Sequence, residues 1–203
     1  MSRLLLVRHG ETELKSSERL WGHTDVKLDA LGLRQAERLR DRLATEKIDA
    51  IYSSELQRAL TTAKIIASRH QVDVTAFAEL REFNYGKIEG LNSEEVNQLY
   101  PELFKLRMQR SPNLRFPGGE SLDELGNRVS KFVDKLKKHK AEEAILIVVH
   151  SGVLRTLICQ LLEMELRHFY QFVPDLASLS ILETHSQGAI LSLFNDTSHL
   201  RDS

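Results

Sequence analysis

The sequence predicts an α/β fold: a three-layer α/β/α sandwich with a mostly parallel central sheet, helices on both faces and a small lid insertion. Two observations carry this. Short unbroken apolar runs, the mark of strands buried on both faces, alternate along the chain with longer stretches of helical periodicity. Nowhere does a Gly/Ser linker or a low-complexity tract interrupt the alternation, so residues 1–203 are expected to form a single domain.

Taken in order, Leu4-Leu5-Leu6-Val7 reads as the first buried strand and ends in Arg8-His9-Gly10. Leu33, Ala36, Leu39 and Leu43 then recur at helical spacing, followed by a second strand over Ala50-Ile51-Tyr52. Leu56, Ala59, Leu60, Ala63, Ile66 and Ala67 form the next apolar stripe, and Ser54-Glu55-Leu56-Gln57 before it has the pattern of a capping box. Val72 to Phe77 is a weaker strand candidate. The stretch 84–119 departs from the alternation. It holds Pro101, Pro112 and Pro117 and only short amphipathic pieces, and is expected to be an insertion or lid over one edge of the sheet. Ser121-Leu122-Asp123-Glu124 is a second capping-box pattern, opening a long helix with Leu122, Leu125, Val129, Phe132, Val133 and Leu136 on one face. The strongest strand, Ile145 to Val149, runs into His150-Ser151-Gly152 and a further apolar helix, and Leu179–Leu182 and Ile190–Phe194 flank a turn at Ser186-Gln187-Gly188.

Composition excludes several classes. With 41% hydrophobic and 28% charged residues the chain is neither disordered nor fibrous, and a net charge of −1 does not steer it as a body toward nucleic acid or an anionic membrane. No stretch approaches the roughly 20 apolar residues needed to cross a bilayer, and the first apolar run is broken at once by Arg8-His9. A cytoplasmic protein is expected. Cys159, the one cysteine, leaves no partner for an intrachain disulfide; it lies beside an apolar stripe and reads as core.

Ligands of open α/β sheets bind at the carboxyl ends of the strands. Two strands here end in histidine, one with arginine before it, and Arg58 lies one turn into the helix after Tyr52-Ser53-Ser54. Two arginines and two histidines near the opening of a helix at Ser151, whose backbone N–H groups can face an anion, describe a pocket for a phosphate dianion.

These residues resemble the signature of the histidine phosphatases, the phosphoglycerate-mutase-like superfamily. The likeness begins with Arg8-His9-Gly10-Glu11-Thr12 and continues through Gly22-His23-Thr24-Asp25, Tyr52-Ser53-Ser54 with Arg58, and Leu80-Arg81-Glu82-Phe83-Asn84-Tyr85-Gly86. It ends with Pro117-Gly118-Gly119-Glu120-Ser121, Arg128 and His150-Ser151-Gly152-Val153-Leu154-Arg155, in order over nearly the whole chain. Within the superfamily it looks most like the α-ribazole phosphatase and broad-specificity bacterial group. The resemblance implies a metal-independent phosphatase acting on small phosphorylated metabolites. His9 would be the nucleophile, Glu82 the general acid and base, and Arg8, Arg58, His150 and Ser151 the phosphate holders. Lys15, Trp21 and Gly22 would border the substrate. Lys15 stands where the family commonly has asparagine, and Ile88 where it often has tryptophan.

Other readings are weighed beside this one. A phosphoglycerate mutase-type transfer is less favoured because mutases resembling this chain carry a larger insertion between the acid and the second histidine. A metal-dependent hydrolase lacks a His-x-x-x-His pair and an aspartate cluster, and arginines would repel the cation, so no metal or other cofactor is expected. A non-catalytic phospholigand-binding module would not need both His9 and Glu82. The expected partner is the small substrate, with no nucleic acid and no membrane; a homodimer is the protein partner considered.

Overall fold

The computed structural model describes residues 2–14, 19–111 and 113–201. In chain order its elements are β1 (Ser2–Arg8), α1 (Ala30–Leu43), β2 (Ala50–Ser54), α2 (Gln57–Ala67), β3 (Val74–Phe77), α3 (Ser93–Leu99), α4 (Pro101–Met108), α5 (Leu122–Leu136), β4 (Ala144–Val149), α6 (Ser151–Leu161), β5 (Leu179–His185) and β6 (Gly188–Asp196). The strands form one six-stranded sheet in the order β3-β2-β4-β1-β5-β6. β3, β2, β4 and β1 pair in parallel, and β5 is antiparallel to both of its neighbours. Every predicted strand is present.

The apolar runs are continuous because both faces of the central strands are covered. Leu4, Leu6, Ile145, Ile147 and Val149 point into one buried cluster with Leu125, Val129 and Phe132 of α5 and Val153, Leu154 and Leu157 of α6. Leu5, Val7, Ile51, Leu146 and Val148 point into the other, with Leu39 and Leu43 of α1 and Ala59, Ala63 and Ile66 of α2. Cys159 is fully buried in the first cluster, and burial pushes its thiol pKa up to about 11, which keeps it inert.

This arrangement positions the site. β1 and β4 are adjacent and parallel, yet the helix after β1 lies on one face and the helix after β4 on the other. The two chains diverge beyond the sheet and leave a crevice between them, the switch point where α/β proteins take ligands. Because Arg8 is in register with Val149, His9 and His150 emerge side by side at its lip.

The stretch 84–119, expected over one edge of the sheet, is built into the α5/α6 side: Ile88, Val96, Leu103, Leu114 and Phe116 are buried in that cluster. Its two ends are laced together, Lys87 N–H donating to Pro117 O at 2.8 Å and Glu120 N–H to Asn84 O at 2.9 Å. At this neck Gly86 has φ +56°, and a Cβ there would stand 2.3 Å from Pro117 O, so only glycine fits.

Of the two predicted capping boxes, the one at Ser121 is present, with Ser121 and Glu124 exchanging side chain-to-backbone bonds. The one at Ser54 is not. Ser54 Oγ accepts from Leu56 N instead, α2 starts later, and its first N–H, from Gln57, goes to Asp25 Oδ1 at 2.7 Å. A side chain from a distant loop has taken the place of the local cap.

Candidate active site

His9 and His150 are both buried, their ring centroids 5.1 Å apart. His9 Nδ1 lies 2.7 Å from the carbonyl of Gly10. A carbonyl only accepts, so Nδ1 carries the proton and Nε2 keeps the free lone pair. The backbone of His9 is pinned from both sides, its N–H on Val149 O and its carbonyl receiving Ala177 N–H, each at 3.0 Å. Burial first, then Arg58 and Arg8, hold its pKa well below the ordinary imidazole value. The imidazole is therefore neutral at physiological pH, with a lone pair on Nε2.

His150 is the opposite tautomer. Arg58 Nε donates to its Nδ1 at 3.1 Å, so the neutral ring carries its proton on Nε2, which is buried without a partner among the described residues. Burial, then Arg58 and His9, hold this pKa well below the usual value too.

Arg58 is 1% exposed and its guanidinium is spread over backbone oxygens: Nη1 on Thr24 O at 2.9 Å, Nη2 on Gly22 O at 2.7 Å and on Trp21 O at 3.4 Å. Its fork thus ties the loop 21–24 to His150. The other side of that loop is held by Glu89, which accepts from His23 N at 2.6 Å and Thr24 N at 2.8 Å. Gly22 is in contact with Phe83, where a Cβ would come within 2.2 Å of the carbonyl oxygen.

Glu82 is buried beneath the opening of α6. Its Oε1 accepts from Phe83 N at 2.8 Å and from Gly152 N at 3.0 Å, and Oε2 makes only the longer contact, 3.2 Å, to Gly152 N. The helix N-terminus expected to face a bound anion thus also anchors a carboxyl group. Arg128 fixes the backbone beneath: it pairs with Glu120 and donates to the carbonyls of Glu79, Arg81 and Glu82. The Glu82 carbonyl also receives His23 Nε2 at 3.0 Å.

Arg8, His9, Trp21, Arg58, Glu82 and Ser151 converge on one pocket of about 280 Å³. Arg8 Nη1 donates to Pro174 O at 2.8 Å, and its Nε is buried without a partner among the described residues. Trp21 Nε1 donates to Leu14 O at 2.6 Å, leaving the indole as wall. His150 and Gly22 stand behind the wall, His150 against His9 and Gly22 as an acceptor for Arg58. Lys15 lies outside the described residues. Thr12, with an unpartnered buried hydroxyl, and Tyr85 and Arg155 also line the pocket and were not anticipated as site residues. Arg155 had a readable signal, since it sits four residues after Ser151 on the same face of α6. Tyr85 had no periodicity to give it away, because a loop delivers it, and only its place in the Leu80–Gly86 stretch pointed to it. Among the described residues no three His, Cys, Asp or Glu side chains are grouped to hold a metal ion, and no helix is long and apolar enough to cross a membrane.

A sheet whose switch point presents two neutral histidines, two arginines and a carboxyl group defines a phosphoryl-transfer class of protein. The sequence profile of the histidine phosphatase superfamily (branch 1) matches residues 4–197, and the chain belongs to that superfamily. It is a phosphoric monoester hydrolase. It is 34% identical over 200 residues to phosphoserine phosphatase 1 of Hydrogenobacter thermophilus, covering 98% of this chain and 95% of that one. It is 30% identical over 193 residues to the adenosylcobalamin/alpha-ribazole phosphatase of Escherichia coli, covering 95% of each. The crystal structure of the alpha-ribazole phosphatase from Shigella flexneri superimposes with a TM-score of 0.88 at 30% identity, over 96% of both chains.

Proposed function

We propose that this chain hydrolyses phosphomonoesters of small metabolites by two successive displacements at phosphorus, through a phosphohistidine on His9. The observation that carries the reading is the 2.7 Å bond from His9 Nδ1 to Gly10 O, which puts the proton on Nδ1 and leaves the lone pair on Nε2 of a residue that lines the pocket. In the first step Nε2 attacks phosphorus, the P–O bond to the leaving group breaks, and Glu82 delivers a proton to the departing alkoxide. Oε2, the less engaged carboxyl oxygen, is the one that carries it. In the second step Glu82 removes a proton from water as its oxygen attacks phosphorus. The P–N bond then breaks, the electron pair returns to Nε2, and inorganic phosphate leaves.

Arg8, Arg58, the Nε2–H of His150 and the Ser151 hydroxyl act on the transferring oxygens. Their value is positional and electrostatic, since phosphoryl transfer asks mainly for alignment and compensating positive charge. His150 meets this demand without a charge of its own: an imidazole kept neutral by burial still donates from Nε2. Splitting the reaction in two replaces one difficult attack by water with an attack by a preset nucleophile.

Brief incubation with a phosphorus-labelled ester, followed by quenching in alkali, tests the proposal. An alkali-stable, acid-labile protein adduct is expected, and His9→Ala removes both adduct and turnover. Full turnover by His9→Ala, or activity lost to a chelator and restored by a divalent ion, overturns it.

A further inference from the structure

A second cavity, of about 360 Å³, opens from the first and shares Tyr85, Ser151 and Arg155 as a common wall. It lies on the side of the segment 84–119, and three guanidiniums line it: Arg107 in the last turn of α4, Arg110 just beyond that helix, and Arg155 of α6. Among the described residues none of the three has an ion pair or a side-chain hydrogen bond. Arg107 Nη1 and Arg155 Nε are buried with no hydrogen-bond partner among the described residues, and Arg155 rests 5.3 Å from the ring centroid of Phe169. No carboxylate lines the cavity among the described residues. Tyr170 lines the same cavity; burial pushes its phenol pKa up, and Arg107, Arg155 and Arg110 pull it back. Phe83, Phe116 and Tyr170 supply a flat apolar surface beside these charges.

Three like charges facing one space, two of them with unsatisfied buried donors, repel one another until an anion enters. The volume lies in the range of small-molecule sites and adjoins the phosphate pocket through Ser151 and Arg155, so its occupant is the group attached to the phosphate. Resting on the phosphatase reading above, we infer that this cavity selects phosphomonoesters whose leaving alcohol has a flat or apolar body bearing a second negative charge. The same cavity disfavours an ammonium group. O-Phosphoserine, whose amino group would meet three guanidiniums in a cavity that no carboxylate lines, Glu82 lying in the adjoining phosphate pocket, is then a poorer ligand than the phosphate ester of 3-hydroxypropanoate, which lacks only that amine.

Binding to the His9→Ala protein, measured by calorimetry, isolates recognition from chemistry. The probes are phenyl phosphates with a para carboxylate, a second phosphate, a methyl or an aminomethyl group, together with O-phosphoserine and its deamino counterpart. The doubly anionic esters are expected to bind about tenfold or more tighter than the methyl compound, and the aminomethyl compound weaker than it. Raising salt shrinks the spread. Arg107→Ala and Arg110→Ala each reduce the preference while leaving the affinity for the methyl compound within about twofold, which also shows that the variants fold. Equal affinities across the series overturn the inference. So does an equal loss for charged and neutral esters in both variants, which would make these arginines partners of the α4 C-terminus only. The phosphatase reading is judged separately: release of phosphate from the methyl compound by the unmodified chain upholds it whatever the charge preference, and failure to turn over any ester defeats it.

Discussion

Replacing Arg58 by methionine isolates the most heavily engaged side chain that lines the pocket. Methionine fills most of the same volume, so the change removes the guanidinium and little else. It leaves His150 Nδ1, Thr24 O and Gly22 O, previously bonded at 3.1, 2.9 and 2.7 Å, without their donor. A buried polar group left unsatisfied costs about 1–3 kcal/mol. The adjoining pocket admits water and the cost of burying Arg58 disappears, so the low end applies to each of the three, giving a net loss of about 3 kcal/mol. Two readouts are expected together. Urea unfolding at pH 7.5 shows the loss, and nuclear magnetic resonance titration shows His9 and His150 with raised pKa values, because Arg58 is the largest charge holding each down. Burial, the larger cause for both, remains, so neither reaches the free imidazole value. A stability change below about 1 kcal/mol with both imidazole titrations unmoved would refute the account of Arg58 as the tie between loop 21–24 and His150.

Glu82→Gln keeps the shape of the carboxyl group but cannot supply a proton; turnover of an alkyl phosphate is expected to fall by roughly 10²–10⁴, whereas the single-turnover phosphorylation step with a nitrophenyl ester, whose leaving group needs no proton, falls far less. Equal losses in that comparison would reduce Glu82 to a structural anchor for Gly152. Acid also probes the site. His9 and His150 have native pKa values below their unfolded ones, so the unfolded chain binds protons first as the pH drops. Stability is then fully present above about pH 6.5 and declines below it, each histidine adding a slope of up to about 1.4 kcal/mol per pH unit. Unfolding curves at pH 7.5, 6.5 and 5.5 check this, and a flat profile contradicts it.

The strands and the main helices were legible because each is decided by a local pattern. Ile145–Val149 is apolar at every position and is buried at every position; Ser121 and Glu124 cap α5 from within one turn. The Ser54 box failed because Asp25, far away in sequence, competes for the same helix end. The site was legible to the same degree. His9 and His150 announce themselves by following strands, and Arg58 by following another. Tyr85, Arg107 and Arg110 reach the pockets from a segment whose path depends on the neck at Gly86 and on burial of Val96 and Leu103, which no local pattern encodes.

The register of β1 with β4 has a consequence for how such a protein can change. His9 and His150 are neighbours because Arg8 lies opposite Val149, so their spacing is a property of sheet alignment. Deleting one residue from either strand would slide it by about 3.3 Å and turn its side chains to the wrong face. The arginines around the larger cavity hang on α4, the neighbouring turn and α6, and only the last of these touches β4 directly in sequence. On the cavity reading, exchanges at the arginine positions of α4 and the turn after it would alter which alcohol is taken, while the lengths of β1 and β4, held by their register, would keep the two histidines together.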